Sequence, residues 1–263
     1  MLILVPNLKR GDGICTPCLL KKAIFENTFA AMTLLKMEKR LFLQAFLFAF
    51  LFTALLWIVK IVEVSTGSNF SSYGVYPLDI RGLRGILFAP LIHGSWEHLI
   101  NNSVPVLVLS TTLFYFYRQI SMKVFLLIYF VHTFWLWFFA RGSFHIGASG
   151  IIYGLGAFIF VSGIIRRNTH LLAISMMVAF LYGSMVWGIF PYEESISWEG
   201  HLTGMTAGII LAFYYKNFGP PPNFGRKRTG DVPDEEETED EDGDNPWWKV
   251  PEDLDEKDKR LLE

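Results

Sequence analysis

Between Leu41 and Tyr215 the chain carries six apolar stretches, and both of its ends are polar. A helix that crosses a bilayer needs about 20 apolar residues, with a range of roughly 17 to 25. The stretches that reach or approach this length are 41–62, 98–117, 124–140, 149–165, 171–190 and 198–215. Lipid offers no hydrogen-bond partner to an open backbone, so a series of this kind predicts helices. The expected fold is an all-α polytopic membrane protein, a six-helix bundle at 41–215. Total composition decides less, because soluble domains of this size also carry about half apolar residues.

Charge orients the bundle. With a cytosolic N-terminus, the inner segments carry Lys36, Lys39 and Arg40, then Arg118 and Lys123, Arg166 and Arg167, and Lys216 with Arg226, Lys227 and Arg228. The outer loops carry Arg81, Arg84 and Arg141, with Glu193 and Glu194 in the last. That is a positive-inside pattern, so both termini are expected in the cytosol and the loop 63–97 outside. This loop holds Phe70, Tyr73, Tyr76, Phe88 and Trp96, rings that favour headgroup depth. Residues 1–40 read as a cytosolic extension, with a natural-looking start at Met37. Residues 216–263 read as an acidic, disordered cytosolic tail: 231–263 hold 16 Asp or Glu against 4 Lys or Arg. Cys15 and Cys18 form one CxxC without the second pair a structural zinc site needs. They read as incidental, and Trp247-Trp248 as a chance aromatic pair or a surface contact.

A strongly polar side chain at membrane depth costs about 2.5 to 3.5 kcal/mol on insertion scales, so each one needs a reason. The second stretch begins H98-L-I-N-N102, the fourth G147-A-S149-G150-I-I-Y153-G154, and the sixth contains H201-L-T-G204-M-T-A-G208. All three clusters lie at outer ends and therefore share a depth. His98 and Asn102 are four residues apart, on one helix face, whereas Asn101 is not. Gly150-x3-Gly154 and Gly204-x3-Gly208 are small-residue motifs that let membrane helices approach closely. Packing through them brings Ser149 to His201, a nucleophile and a base. No carboxylate is placed as a third member, since Glu199 faces another side of its helix. Oxyanion donors are available from Asn102, His98 and the Ser149 backbone N–H.

These residues resemble the rhomboid intramembrane serine proteases. The resemblance covers about residues 81–215 and rests on H93-x4-H98-x3-N102, G147-x-S149-G150 with Tyr153, and H201-x2-G204-x3-G208, in the family's order. It implies that Ser149 is the nucleophile and His201 the base, that His98 and Asn102 stabilise the oxyanion, and that Tyr153 packs on the His201 ring. Gly147, Gly150 and Gly204 support them. It further implies cleavage of single-span membrane proteins near the outer face, with no metal, cofactor or nucleic acid involved. Six spans without an extra helix fit the family's simplest form, in a plasma (inner) membrane. Where many members carry Trp-Arg in the first outer loop, this chain reads R81-G-L-R84.

Blander readings stand beside these. A serine in G-x-S-G is on its own often a packing serine or a cap. His93 reads as a loop-packing residue, His145 as cavity lining or exposed, His132 as a buried, satisfied histidine and His170 as incidental. An inactive rhomboid-like protein that binds or escorts membrane clients is the alternative function; such relatives have usually lost the Ser or the His. A transporter would continue its polar residues to the inner face. A zinc protease would need H-E-x-x-H, and Glu97-His98 is in the reverse order.

Overall fold

The computed structural model describes residues 16–181, 188–191 and 197–223. The acidic run, Cys15 of the CxxC pair and Trp247-Trp248 lie outside that description. Seven α-helices are described: α1 Thr16–Ser65, α2 Gly85–Phe88, α3 Trp96–Phe116, α4 Ser121–Phe139, α5 Ser149–Ile165, α6 Thr169–Leu181 and α7 Trp198–Tyr214. Among the described residues no strand occurs, only one isolated antiparallel bridge between Val75 and His145. The chain divides into two compact units, 1–44 and 45–263, with the boundary inside α1.

Local signals account for the helix starts. The Ser95 hydroxyl caps α3 by accepting from the His98 N–H at 3.1 Å, and the Ser197 hydroxyl caps α7 by accepting from the Gly200 N–H at 3.3 Å. Glu97 and Glu199 sit in the first turns, where a carboxylate meets the positive end of the helix dipole. The core is aliphatic. Leu99, Leu109 and Leu113 of α3, Ile128 of α4, Ile151, Leu155 and Ile159 of α5 and Leu171 of α6 are fully buried.

Among the described residues, three helices are long and apolar enough to cross a bilayer: Leu35–Ser65 within α1, with 31 residues, α3 with 21 and α4 with 19. Phe50, Leu51 and Ile58 of α1, Phe134 and Phe138 of α4 and Met176 of α6 are exposed. A water-facing surface this apolar would be an aggregation liability, whereas lipid accepts it. The remaining helices are shorter: α5 and α7 have 17 residues each and α6 has 13. α5 is shielded by its neighbours, with Gly150 to Leu155 buried without a break.

Two boundaries differ from the sequence reading. α1 is helical from Thr16 to Ser65. The expected 171–190 span is helical over Thr169–Leu181; residues 182–187 lie outside the description and Gly188–Phe190 form a turn. The C-terminal segment does not leave the bundle at 216. Arg166 Nε donates to the Pro220 carbonyl at 2.7 Å, Asn168 Nδ2 to the Pro221 carbonyl at 2.8 Å, and the Thr169 N–H to Asn223 Oδ1 at 2.6 Å. The Asn223 N–H returns a bond to the Arg167 carbonyl at 3.2 Å. Three prolines in a row read as the start of a tail, but their free carbonyls are acceptors for the turn that joins α5 to α6. Ending the chain at Gly219 is expected to cost about 2 kcal/mol relative to ending it at Asn223, since each net bond is worth about 1 kcal/mol and these are partly wet. Thermal unfolding of the two chains in one detergent tests this, and equal midpoints would contradict it.

The segment between α1 and α3 is ordered. Its 3-10 turns span Phe70–Tyr73, Ile80–Arg84 and Ala89–Leu91. The Leu78 N–H donates to the Trp137 carbonyl at 3.1 Å, and the Trp137 indole N–H returns a bond to the Asp79 carbonyl at 3.0 Å. Thr133 donates to the Ile86 carbonyl at 3.2 Å, and the Tyr129 hydroxyl donates to the Leu87 carbonyl. The segment is therefore fastened to one side of α4 while Leu78 and Ile80 point outward, 70% and 83% exposed. Arg84, although exposed, is engaged within the segment: its guanidinium lies 4.3 Å from the Tyr73 ring centre and donates to the Ser72 carbonyl at 2.9 Å.

Candidate active site

Ser149 opens α5, and the turn before it explains its position. Gly147 has φ of +111°, a backbone state that L side chains rarely adopt. Its N–H donates to the Ala89 carbonyl at 2.9 Å, which ties the turn to the outer segment. A Cβ on Gly147 would stand 2.7 Å from His98 Cε1 and 2.8 Å from His98 Nε2, with Asn102 Nδ2 at 3.8 Å. The glycine thus brings the α5 start against the face of α3 that carries both predicted donors. Asn102 is buried, and its Nδ2 has no hydrogen-bond partner among the described residues. A buried amide donor left open is costly, which makes it ready for an acceptor arriving from outside. Asn101 is exposed.

α7 reaches α5 through glycine. A Cβ on Gly204 would collide with the Gly150 carbonyl, and one on Gly208 with the Gly154 carbonyl. At this approach His201 Nε2 lies 2.8 Å from Ser149 Oγ. His201 Nδ1 lies 2.7 Å from the Gly188 carbonyl. A carbonyl only accepts, so Nδ1 carries the proton and Nε2 presents its lone pair to the Ser149 hydroxyl. The Tyr153 ring stacks on the imidazole, with centroids 4.2 Å apart and planes 10° apart. Packing and one backbone carbonyl therefore do the orienting that a carboxylate does in a triad. Glu199 points away, with Oε1 3.6 Å from the Arg141 guanidinium.

The remaining histidines divide as follows. His132 Nδ1 donates to the Ile128 carbonyl at 2.6 Å, and its ring edge presses on Gly150. His145 is buried rather than exposed: Nδ1 meets Ser197 Oγ at 2.7 Å and Nε2 the Arg141 carbonyl at 3.0 Å. Burial holds its pKa below the ordinary value. His93, also buried, is pushed down to about 3 by desolvation, with the neighbouring His98 adding to the effect. Its Nε2 accepts from the Ala148 N–H at 3.5 Å. A small cavity beside Ser149 is lined by Ala89, Pro90, His132, His145, Gly147 and Ser197. Among the described residues, no group of three or more His, Cys, Asp or Glu is gathered to hold a metal ion.

Sequence reasoning missed three residues near the site. Ser197 serves both as the α7 cap and as the His145 partner, and the S-x-x-G spacing before an apolar helix was its signal. Lys60 and Glu63 form a buried ion pair at 2.7 Å near the end of α1. Two opposite charges three residues apart at the end of an apolar run were the cue.

Comparison with known proteins adds an independent line. Residues 81–218 match the model of the Rhomboid domain. Uncharacterized proteins of Mycobacterium bovis and Mycobacterium tuberculosis are each 34% identical to the chain over 171 residues, covering 62% of it and 71% of their own length. One from Mycobacterium leprae is 35% identical over 172 residues, covering 62% and 68%. Because the matched region takes in more than half the chain and every helix that brings a side chain to Ser149, this multi-pass membrane protein belongs to the rhomboid family.

Proposed function

We propose that the chain is an intramembrane serine endopeptidase that cuts transmembrane segments of other membrane proteins near the outer membrane face. The observation that carries this reading is the 2.8 Å contact of Ser149 Oγ with a His201 whose tautomer is set by Gly188. Ser149 Oγ attacks the scissile carbonyl carbon as its proton passes to His201 Nε2. The oxyanion that forms takes hydrogen bonds from Asn102 Nδ2, the His98 ring and the Ser149 N–H. The C–N bond then breaks, and the imidazolium returns its proton to the leaving amine. Water attacks the acyl carbon as its proton passes to His201, the C–O bond to Ser149 breaks, and the imidazolium returns that proton to Ser149 Oγ as the second product leaves.

Topology is part of the proposal. α1, α3, α4, α5, α6 and α7 make six spans, both termini are cytosolic, and the membrane is the plasma membrane. The excess of basic residues on one side supports this orientation. The substrates are single-span proteins presented from the bilayer, and an acidic cytosolic tail follows the bundle.

The oxyanion assignment has its own test. Asn102→Ala is expected to lower turnover by about 10²-fold or less, with KM little changed, because one donor of several is lost. Asn101→Ala, on the exposed face, should change turnover less than about threefold on the same argument. Steady-state kinetics on a single-span substrate compares them, and the reverse ranking would assign the role to the wrong asparagine.

A further inference from the structure

α1 lies outside the matched residues, yet its end holds two charges, Lys60 and Glu63, each 7% exposed. A buried ammonium is tolerated only when its donors are used, and here they are. Lys60 Nζ donates to Glu63 Oε2 at 2.7 Å, to the His93 carbonyl at 2.9 Å and to the Gly94 carbonyl at 3.3 Å. Glu63 Oε1 accepts from the Phe70 N–H at 2.9 Å. The pair therefore clasps the end of α1 to the turn just before α3. That turn leads directly to the site. His93 accepts from Ala148, the residue before Ser149, and its ring meets the His98 ring edge-on at 5.0 Å. Ser95, next to Gly94, caps the turn of α3 that carries His98.

We propose that Lys60 and Glu63 are positioning residues for the oxyanion side of the Ser149 centre, an inference that rests on the hydrolytic reading above. Neither touches the reacting atoms. Lys60 fixes two consecutive carbonyls, and through them the His93 ring against Ala148 and the His98 ring against Gly147. Without the clasp the 93–95 turn is free to shift, and a displacement of about 1 Å can cost on the order of 10²-fold in rate. An ordinary ion pair that only steadies α1 would leave the chemistry of the folded protein alone.

The test uses the full chain in detergent, with a single-span substrate and a fluorophosphonate that labels an activated serine. Lys60→Met combined with Glu63→Gln removes both charges together, so neither is left unpaired. The expected result is a kcat about 10- to 100-fold lower, with KM within about twofold and labelling slowed in parallel. Adding Asn102→Ala should lower the rate by less than the product of the separate factors, because both act on one oxyanion site. Wild-type kcat and labelling in the pair variant, or factors that multiply in full, overturn the proposal. If the pair variant does not fold, Lys60→Arg, which keeps the charge but moves the donors, carries the same comparison with the same two outcomes. A folded wild-type protein that the probe does not label at Ser149 overturns the hydrolytic reading itself and is recognised without any variant.

Discussion

His201→Ala and Ser149→Ala are each expected to lower turnover by on the order of 10⁴-fold or more, and the double variant to be no worse than either. The reason is geometric. The serine hydroxyl is a poor nucleophile until its proton has somewhere to go, and His201 Nε2 is the base within reach, at 2.8 Å. With either partner gone, the other has no separate contribution to lose. Fluorophosphonate labelling should vanish in His201→Ala although Ser149 is still present, because the probe reads activation rather than the hydroxyl. Kinetics and labelling of the three variants side by side check this. A double variant markedly slower than either single one would show that the two residues act independently.

Gly204→Val is expected to lower turnover by on the order of 10²-fold, though no reacting group is removed. A Cβ at Gly204 already collides with the Gly150 carbonyl oxygen and stands 2.8 Å from its carbon, and valine adds two methyls beyond that. Neither backbone can yield, so α5 and α7 must separate. The Ser149–His201 hydrogen bond lies across that seam, and a separation of about 1 Å costs on the order of 10²-fold. Gly200→Ala is the control. Its Cβ would meet the Ser197 hydroxyl oxygen at 3.0 Å and Leu136 carbons at 3.8 Å, side-chain atoms that need give only a few tenths of an ångström, so the loss should stay within about tenfold. Cleavage and membrane topology are measured together on both variants. Full activity in Gly204→Val would mean that the helices do not depend on this glycine for their approach.

The approach of α5 to α7 was legible because it is written in spacing. Glycines four residues apart on two apolar stretches have few uses other than close packing. The bounds of α5 were legible for a related reason: Gly147 and Ser149 mark its start, and Arg166 and Arg167 follow its end. His98 and Asn102 could be paired because i and i+4 share a face, and the structure sets both against Gly147. What orients His201 was not legible. Its Nδ1 partner is the backbone carbonyl of Gly188, and no side-chain pattern encodes where a turn will place a carbonyl. The spacing of Lys60 and Glu63 offered a cue to their pairing, but what the pair holds was not legible, because the His93 and Gly94 carbonyls and the Phe70 N–H are also backbone. The docking of Pro220 to Asn223 was misread for the opposite reason. Proline-rich composition speaks against a core, but not against a chain that lends its carbonyls to a neighbouring turn.

The most direct measurement is the mass of the products. Wild-type protein and Ser149→Ala, purified in the same detergent, are incubated with a single-span substrate that carries helix-breaking residues near its outer end. The wild type should release two fragments whose masses sum to that of the substrate plus one water, from a cut near that end. Ser149→Ala should release neither. The same fragments from Ser149→Ala at a comparable rate would contradict the assignment of Ser149 as nucleophile.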